Sequence, residues 1–107
     1  MSVNDSAPIA CTLSAAEMPR REAQIRALAR DGLISVAREE QRAQFRFRAG
    51  SDLRRRIDEL VDAESQCCAF LDFQVAQERD ATVLTISAPH GGEPTLHGLA
   101  ALFTPTG

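Results

Sequence analysis

Apolar and polar residues alternate in five short stretches of the chain, and this period of two predicts β-strands. Phe45 and Phe47, for example, alternate with arginines. Polar turns join the second stretch to the third and the fourth to the fifth. This arrangement predicts two antiparallel hairpins, each with one apolar face and one solvent-exposed face. The five predicted strands are residues 8–13, 33–38, 42–49, 71–75 and 83–88.

The first helix is predicted between the first and second strands. Ser14 and Glu17 have the spacing of a capping box, in which a hydroxyl and a carboxylate bind free backbone N–H groups at a helix start. Pro19 is disfavoured in a helix interior, so the regular part is expected to begin near it, and Gly32 is expected to end the helix in a left-handed conformation. The residues predicted to face inward are Ile25 and Leu28, and those predicted to face outward are Arg20, Arg21, Glu22 and Arg26.

Two more helices are predicted from apolar residues that recur every three or four positions. The second is expected to start at residues 50–52, where Gly, Ser and Asp break the strand and cap the helix, and to run to the cysteine pair at residues 67–68. The third is expected at residues 95–103, after a loop rich in glycine and proline. The inward-facing residues of these helices are predicted to be Leu53, Ile57, Leu60, Val61, Leu96, Leu99 and Phe103.

The combination of antiparallel hairpins and intervening helices predicts an α+β fold. We expect an antiparallel sheet of four to five strands with the helices packed on one face. Because each of the first two helices precedes a hairpin, two internal repeats of roughly 35 to 40 residues are also expected. Residues 1–7 are small and polar and are predicted to form a disordered tail, so residues 8–104 would form a single domain.

Composition and charge narrow the range of partners. The 107 residues are 44% hydrophobic and 25% charged, which is typical of a soluble globular domain. The net charge of −3 argues against nucleic acid as a partner, because phosphate binding requires a concentrated basic surface. A domain of this size exposes much of its surface, so a homodimer that buries one sheet face is expected to gain stability.

Targeting and membrane segments are not evident in the sequence. Residues 1–8 carry no basic segment followed by an apolar stretch, so no signal peptide is predicted. No apolar stretch approaches the roughly 20 residues needed to cross a bilayer, so no membrane association is expected. The chain is therefore predicted to be cytoplasmic, where its three cysteines would stay reduced.

Reactive side chains concentrate at the end of the second predicted helix. Glu64 precedes Cys67 by three residues and Cys68 by four, so the three side chains share one helix face. Cys11 faces the same way as the inward residues of the first predicted strand, and we expect its sulfur within roughly 7 Å of at least one of the other two, with Glu64 lining the same pocket. Two structural alternatives are open: the cysteines are small buried residues, and Glu64 is paired with an arginine or lies at an edge.

The segment from residue 64 to residue 73, ESQCCAFLDF, resembles the motif ESxCC(P)FxxF of a family of small, uncharacterised bacterial proteins. The resemblance covers residues 9–103, nearly the whole chain. Members of this family resemble segments found near, or fused to, MerR-type regulators and mercury-resistance functions. Where the family commonly has proline after the cysteine pair, this chain has Ala69. The positions that the resemblance implies for the thiols and the carboxylate are Cys11, Cys67, Cys68 and Glu64.

The first functional hypothesis is binding of a thiophilic metal or metalloid ion, such as Hg(II), As(III), Cu(I) or zinc, as in heavy-metal detoxification. Soft ions prefer sulfur, and the predicted ligands are Cys11, Cys67 and Cys68. The second hypothesis is a thiol enzyme for redox chemistry or organomercurial cleavage, with Cys67 as nucleophile and Glu64 as proton carrier. The third is a dimeric interaction module with inert cysteines. The predicted partner is a metal ion or another small thiol-reactive ligand, and no organic cofactor is predicted.

Overall fold

Helices and strands alternate along the part of the chain that the computed structural model describes, residues 17–67 and 69–103. In chain order the elements are α1 (Glu17–Gly32), β1 (Leu33–Arg38), β2 (Arg42–Arg48), α2 (Ser51–Cys67), β3 (Asp72–Gln77), β4 (Ala81–Ser87) and α3 (Glu93–Phe103). None of these helices is long and apolar enough to cross a membrane. The predicted tail, the predicted strand at residues 8–13 and Ser14 of the predicted capping box lie outside the described residues.

The described strands form one antiparallel sheet in the order β1-β2-β4-β3. β1 pairs with β2 and β3 pairs with β4, which confirms both predicted hairpins. β4 joins the two hairpins by pairing with β2. The predicted α+β fold is therefore confirmed, with four strands in the described residues. The order of the elements does not by itself confirm the predicted internal repeat.

The helices pack on one face of the sheet, as predicted. Phe45 and Phe47 of β2 point to this face, and the ring centroid of Phe103 in α3 lies 4.3 Å from that of Phe45 and 6.2 Å from that of Phe47. Every helix residue predicted to face inward is buried except Val61, which is half-buried. The buried ones are Ile25, Leu28, Leu53, Ile57, Leu60, Leu96, Leu99 and Phe103. The apolar pattern therefore identifies the helix side of the core correctly.

Gly32 lets α1 end in close contact with the first turn of α2. A β-carbon at this position would lie 2.6 Å from Cδ1 of Leu53, which is closer than two carbon atoms can approach. The predicted end of the first helix at Gly32 is correct, but the predicted left-handed conformation is wrong. Among the described glycines only Gly91 has a positive φ, 96°. A larger residue at position 32 would therefore force the Leu53 side chain to shift, whereas the backbone conformation there does not call for glycine.

The third helix begins at Glu93, earlier than the predicted start at residue 95. The backbone N–H of Leu96 donates to the carbonyl of Gly92 at 3.2 Å, which extends the first turn of the helix back over Pro94. Proline is tolerated in a first turn because its missing N–H would have no partner within the helix. The backbone N–H of Gly91 donates to the Glu93 carboxylate at 2.8 Å, so a charged side chain contributes to this helix start.

We expect Glu93→Gln to destabilise the protein at neutral pH and to have less effect in acid. Hydrogen bonds from the backbone N–H of Glu93 and from that of Gly91, together with positive charge on His90 and His97, lower the pKa of Glu93 below its ordinary value of 4.5 and outweigh the opposing effect of burial. The stabilisation is fully present above the pKa of the unfolded chain and is lost as the pH falls through the lower folded-state pKa. Urea unfolding of both proteins at pH 7 and at about pH 3 measures this difference. An equal difference at both pH values would contradict the expectation.

The opposite face of the sheet is polar in the described residues. The Gln44 side chain donates a hydrogen bond to Thr85 Oγ1 at 3.4 Å, and Arg46 forms an ion pair with Glu78. Ile34, on the edge strand β1, is a large hydrophobic residue with 56% of its surface exposed. The predicted homodimer stays a prediction.

Candidate functional site

Helices α1 and α2 lie antiparallel, and ion pairs join them near both ends. Nη1 of Arg21, near the start of α1, donates a hydrogen bond to Oε2 of Glu64, near the end of α2, at 2.6 Å. Toward the opposite end, Nη1 of Arg56 donates to Oδ2 of Asp31 at 3.0 Å. The Arg21–Glu64 pair therefore lies at the end of α2 that carries Cys67.

Glu64 is a buried carboxylate with only 2% of its surface exposed. It continues the inward stripe of α2, since it follows Ile57 by seven residues and Leu60 by four. A buried carboxylate requires a partner, and Arg21 supplies a guanidinium whose side chain is 16% exposed. Among the explanations that the sequence left open for Glu64, pairing with an arginine is the one observed.

The prediction that Arg21 faces outward is wrong. Arg21 precedes Ile25 by four residues and Leu28 by seven, so it lies on the inward face of α1, one turn before these apolar residues. Sequence reasoning missed Arg21 because arginine is usually assigned to the solvent-exposed face. The spacing of residues 21, 25 and 28 is the signal that could have identified it.

The cysteines lie at or beyond the limits of the described structure. Cys67 is the last residue of α2, and its side chain, together with Cys11 and Cys68, lies outside the described part. The expected approach of the Cys11 sulfur to the cysteine pair therefore stays a prediction, as do the roles assigned to the thiols. Within residues 17–67 and 69–103, no group of three or more His, Cys, Asp and Glu side chains could hold a metal ion.

The residues on both sides of the cysteine pair are anchored in the fold. Before the pair, Glu64 is held by Arg21. After the pair, a turn leads into Leu71, which is 6% exposed and belongs to the hydrophobic core. Phe70 packs against Gly92, where an added β-carbon would lie 3.1 Å from Cε2 of the ring. Glu64 and Leu71 thus restrain both ends of the short segment that contains the pair.

A groove of about 320 Å³ runs between α1 and α2 beside the Arg21–Glu64 pair. Leu28 and Leu60 contribute apolar surface to it, and Arg21 and Arg56 are its basic residues. Both arginines already form interhelical ion pairs, so their charges are balanced within the protein.

Comparisons with known proteins identify no relative of this chain: no family model, curated protein or solved structure matches it. The resemblance of the segment at residues 64–73 to the family associated with mercury resistance therefore stays a prediction.

Proposed function

We propose that this protein binds a thiophilic metal or metalloid ion, such as Hg(II), through the thiolates of Cys11, Cys67 and Cys68. Soft ions prefer thiolate ligands, and two or three sulfurs are sufficient for several of these ions. The ion is the cargo of the protein rather than a resident cofactor. A role in heavy-metal detoxification in the cytoplasm would follow from the resemblance of the cysteine motif to mercury-associated proteins.

The observation that carries this proposal is the contact between the start of α1 and the end of α2. Arg21 and Glu64 are 43 residues apart in sequence, yet their side chains meet at 2.6 Å. Cys11 precedes Glu17, the first residue of α1, by six residues. Six residues span at most about 21 Å, which sets the greatest possible distance between Cys11 and the start of α1. Cys67 is the last residue of α2, at the same end.

Glu64 has a supporting role in this proposal rather than a role as ligand or proton donor. Its carboxylate is 3% exposed and engaged with the Arg21 guanidinium. A proton carrier must lie within hydrogen-bond reach of the reacting group, and the Glu64 side chain is largely covered and faces Arg21 instead. The contact with Arg21 therefore favours metal binding over the thiol-enzyme hypothesis.

The test is a titration of the fully reduced protein with Hg(II) in the presence of an excess of a monothiol such as glutathione. Any accessible cysteine binds Hg(II), so competition is needed to detect a site that combines several sulfurs. We expect one Hg(II) per wild-type chain with thiolate-to-metal absorption. Once one sulfur has bound the ion, the other sulfurs of the same chain are present at a high effective concentration. We therefore expect about 100-fold weaker retention of Hg(II) in each of the single variants Cys11→Ser, Cys67→Ser and Cys68→Ser.

Inert cysteines give a different result in the same titration. The monothiol would then remove Hg(II) equally well from the wild-type protein and from the single variants, with no defined stoichiometry. That result would overturn the proposed function. Circular dichroism of each variant checks that the loss of a thiol has not unfolded the domain.

A further inference from the structure

We propose that a second copy of this chain pairs with the outer edge of β3, so that the sheets of the two copies join into one continuous antiparallel sheet. β3 is the last strand in the order β1-β2-β4-β3, and no other described strand pairs with its outer side. The proposed contact runs along an edge of the sheet, whereas the homodimer predicted from the sequence would bury a sheet face. It does not depend on metal binding.

The backbone of β3 directs hydrogen-bonding groups toward this edge. In the turn that joins β3 to β4, the backbone N–H of Glu78 donates to the carbonyl of Ala81 at 2.8 Å. Hydrogen-bonded and non-hydrogen-bonded pairs alternate along an antiparallel ladder. Counting back from this turn along the β3–β4 register, Phe73 and Val75 therefore direct their N–H and C=O groups away from β4. Outward groups of this kind can pair with the edge of another strand.

The apolar layer between sheet and helices is open at the outer side of β3. Phe73 and Val75 lie opposite Ile86 and Leu84 of β4, each of which is 1% exposed. Residues that lie opposite each other point to the same face, so Phe73 and Val75 point toward the helices. Both are nevertheless only half-buried. A strand added beside β3 would cover them.

Helix α2 continues this open side above the edge. Nη1 of Arg54 donates to Oε1 of Gln77 at 3.2 Å, so this side of α2 faces β3. Val61 follows Arg54 by seven residues, lies on the same side of the helix and is half-buried. Nε of Arg54 also lies 3.1 Å from each carboxylate oxygen of Asp58. These two charges balance each other, so this side of α2 would not repel a second copy.

The opposite edge of the sheet, β1, is less suited to pairing. Its register shifts between Leu33 and Ser35, and an irregularity of this kind bends an edge strand and disrupts further pairing. The register of β3 is unbroken over all six residues, Asp72–Gln77. β3 contains no proline or lysine, and Asp72 is its only charged residue. The features that usually protect an edge strand are therefore absent from β3.

The sequence of β3 is complementary to a second copy of itself. With a two-fold axis through Gln74, Phe73 of one copy lies opposite Val75 of the other, twice over. The outward backbone groups of these residues then form hydrogen bonds across the axis. On the polar face Gln74 lies opposite Gln74 of the second copy, and their amides can hydrogen-bond.

Charge favours this position of the axis. With the axis through Gln74, Asp72 lies opposite Ala76 of the second copy. An axis one residue further along, at Val75, would place Asp72 opposite Glu78, and like charges directly opposite each other are unfavourable. The proposal therefore specifies both the edge and the register of the contact.

The test measures the mass of the full chain by sedimentation equilibrium from about 1 μM to about 500 μM, with a reductant present so that no disulfide joins two chains. We expect the 11.6 kDa monomer at the low end and a dimer at the high end. Pairing along one short edge buries less surface than a standard interface, so a Kd on the order of 10 μM is expected.

The variants Gln74→Glu and Gln44→Glu form a matched pair. Both glutamines are exposed and lie opposite Thr85, one on each side of it, so the two substitutions change the net charge and the polar face alike. Only residue 74 would meet its own copy. We expect Gln74→Glu to weaken dimerisation about 10-fold at low salt and Gln44→Glu to leave the Kd within about 2-fold of wild type.

Charge complementation tests the register. Gln74→Lys alone should also weaken dimerisation, because two cations would then meet. An equal mixture of the Gln74→Glu and Gln74→Lys proteins should form a heterodimer at least as tightly as wild type, since opposite charges then lie across the axis. Hydrogen exchange supplies a local readout: the amides of Phe73 and Val75 should exchange more slowly at the higher protein concentration.

Three results would overturn the proposal. The first is a chain that stays monomeric over the whole concentration range. The second is a dimer that Gln74→Glu weakens no more than Gln44→Glu does, because such a dimer uses another surface. The third is equal protection of the Phe73 and Val75 amides at all concentrations, which would mean that the edge is covered within a single chain.

Discussion

Replacing Arg21 by methionine is expected to lower the free energy of unfolding by about 3 kcal/mol, because it leaves a buried carboxylate without the guanidinium that balances it. Glu64 is 2% exposed, so solvent cannot take the place of the lost partner without local rearrangement. Urea unfolding at neutral pH, followed by circular dichroism, measures this loss as a lower midpoint.

Two further variants identify the cause of this loss. Arg56→Met removes two more exposed ion pairs, with Asp31 and with Asp52, and is expected to cost less than about 1 kcal/mol. The double variant Arg21→Met/Glu64→Leu removes both charges from the interface and should recover most of the lost stability, since apolar replacements of buried ion pairs are often neutral or stabilising. An Arg21→Met protein that unfolds at the wild-type midpoint would show that Glu64 does not depend on Arg21.

Phe103→Ala is expected to be the most destabilising core substitution at the end of α3, at about 3–5 kcal/mol. Phe103 is 1% exposed and contacts the rings of Phe45 and Phe47, so it joins the last turn of α3 to the middle of the sheet. Its loss removes apolar burial and leaves a cavity between α3 and β2. Thermal unfolding should show a correspondingly large fall in Tm.

The neighbouring Leu102→Ala is the control for Phe103→Ala. Leu102 lies on the same turn of α3 but is only partly buried against the core. Its truncation should therefore destabilise the protein much less than that of Phe103. Equal effects of the two substitutions would contradict a special contribution of the buried Phe103 ring.

The candidate site was only partly predictable from the sequence. The inward position of Glu64 follows from its spacing to Ile57 and Leu60, because helical periodicity is a local property of the chain. The identity of its partner does not follow in this way. Any of the chain's arginines could have satisfied the carboxylate, and the charge of the observed one, Arg21, predicts an outward position although its spacing to Ile25 and Leu28 places it inward.

The sequence by itself determined the identity and order of the described helices and strands, and the face that each helix buries. Local rules are sufficient for this: period-two and period-3.6 patterns, helix caps and polar turns act over a few residues. Only the tertiary structure decided that β4 lies between β2 and β3, that Leu53 fills the space at Gly32, and that Arg21 reaches Glu64. These features depend on contacts between residues far apart in sequence, whose partners are selected by the packing of the whole domain rather than by local pattern.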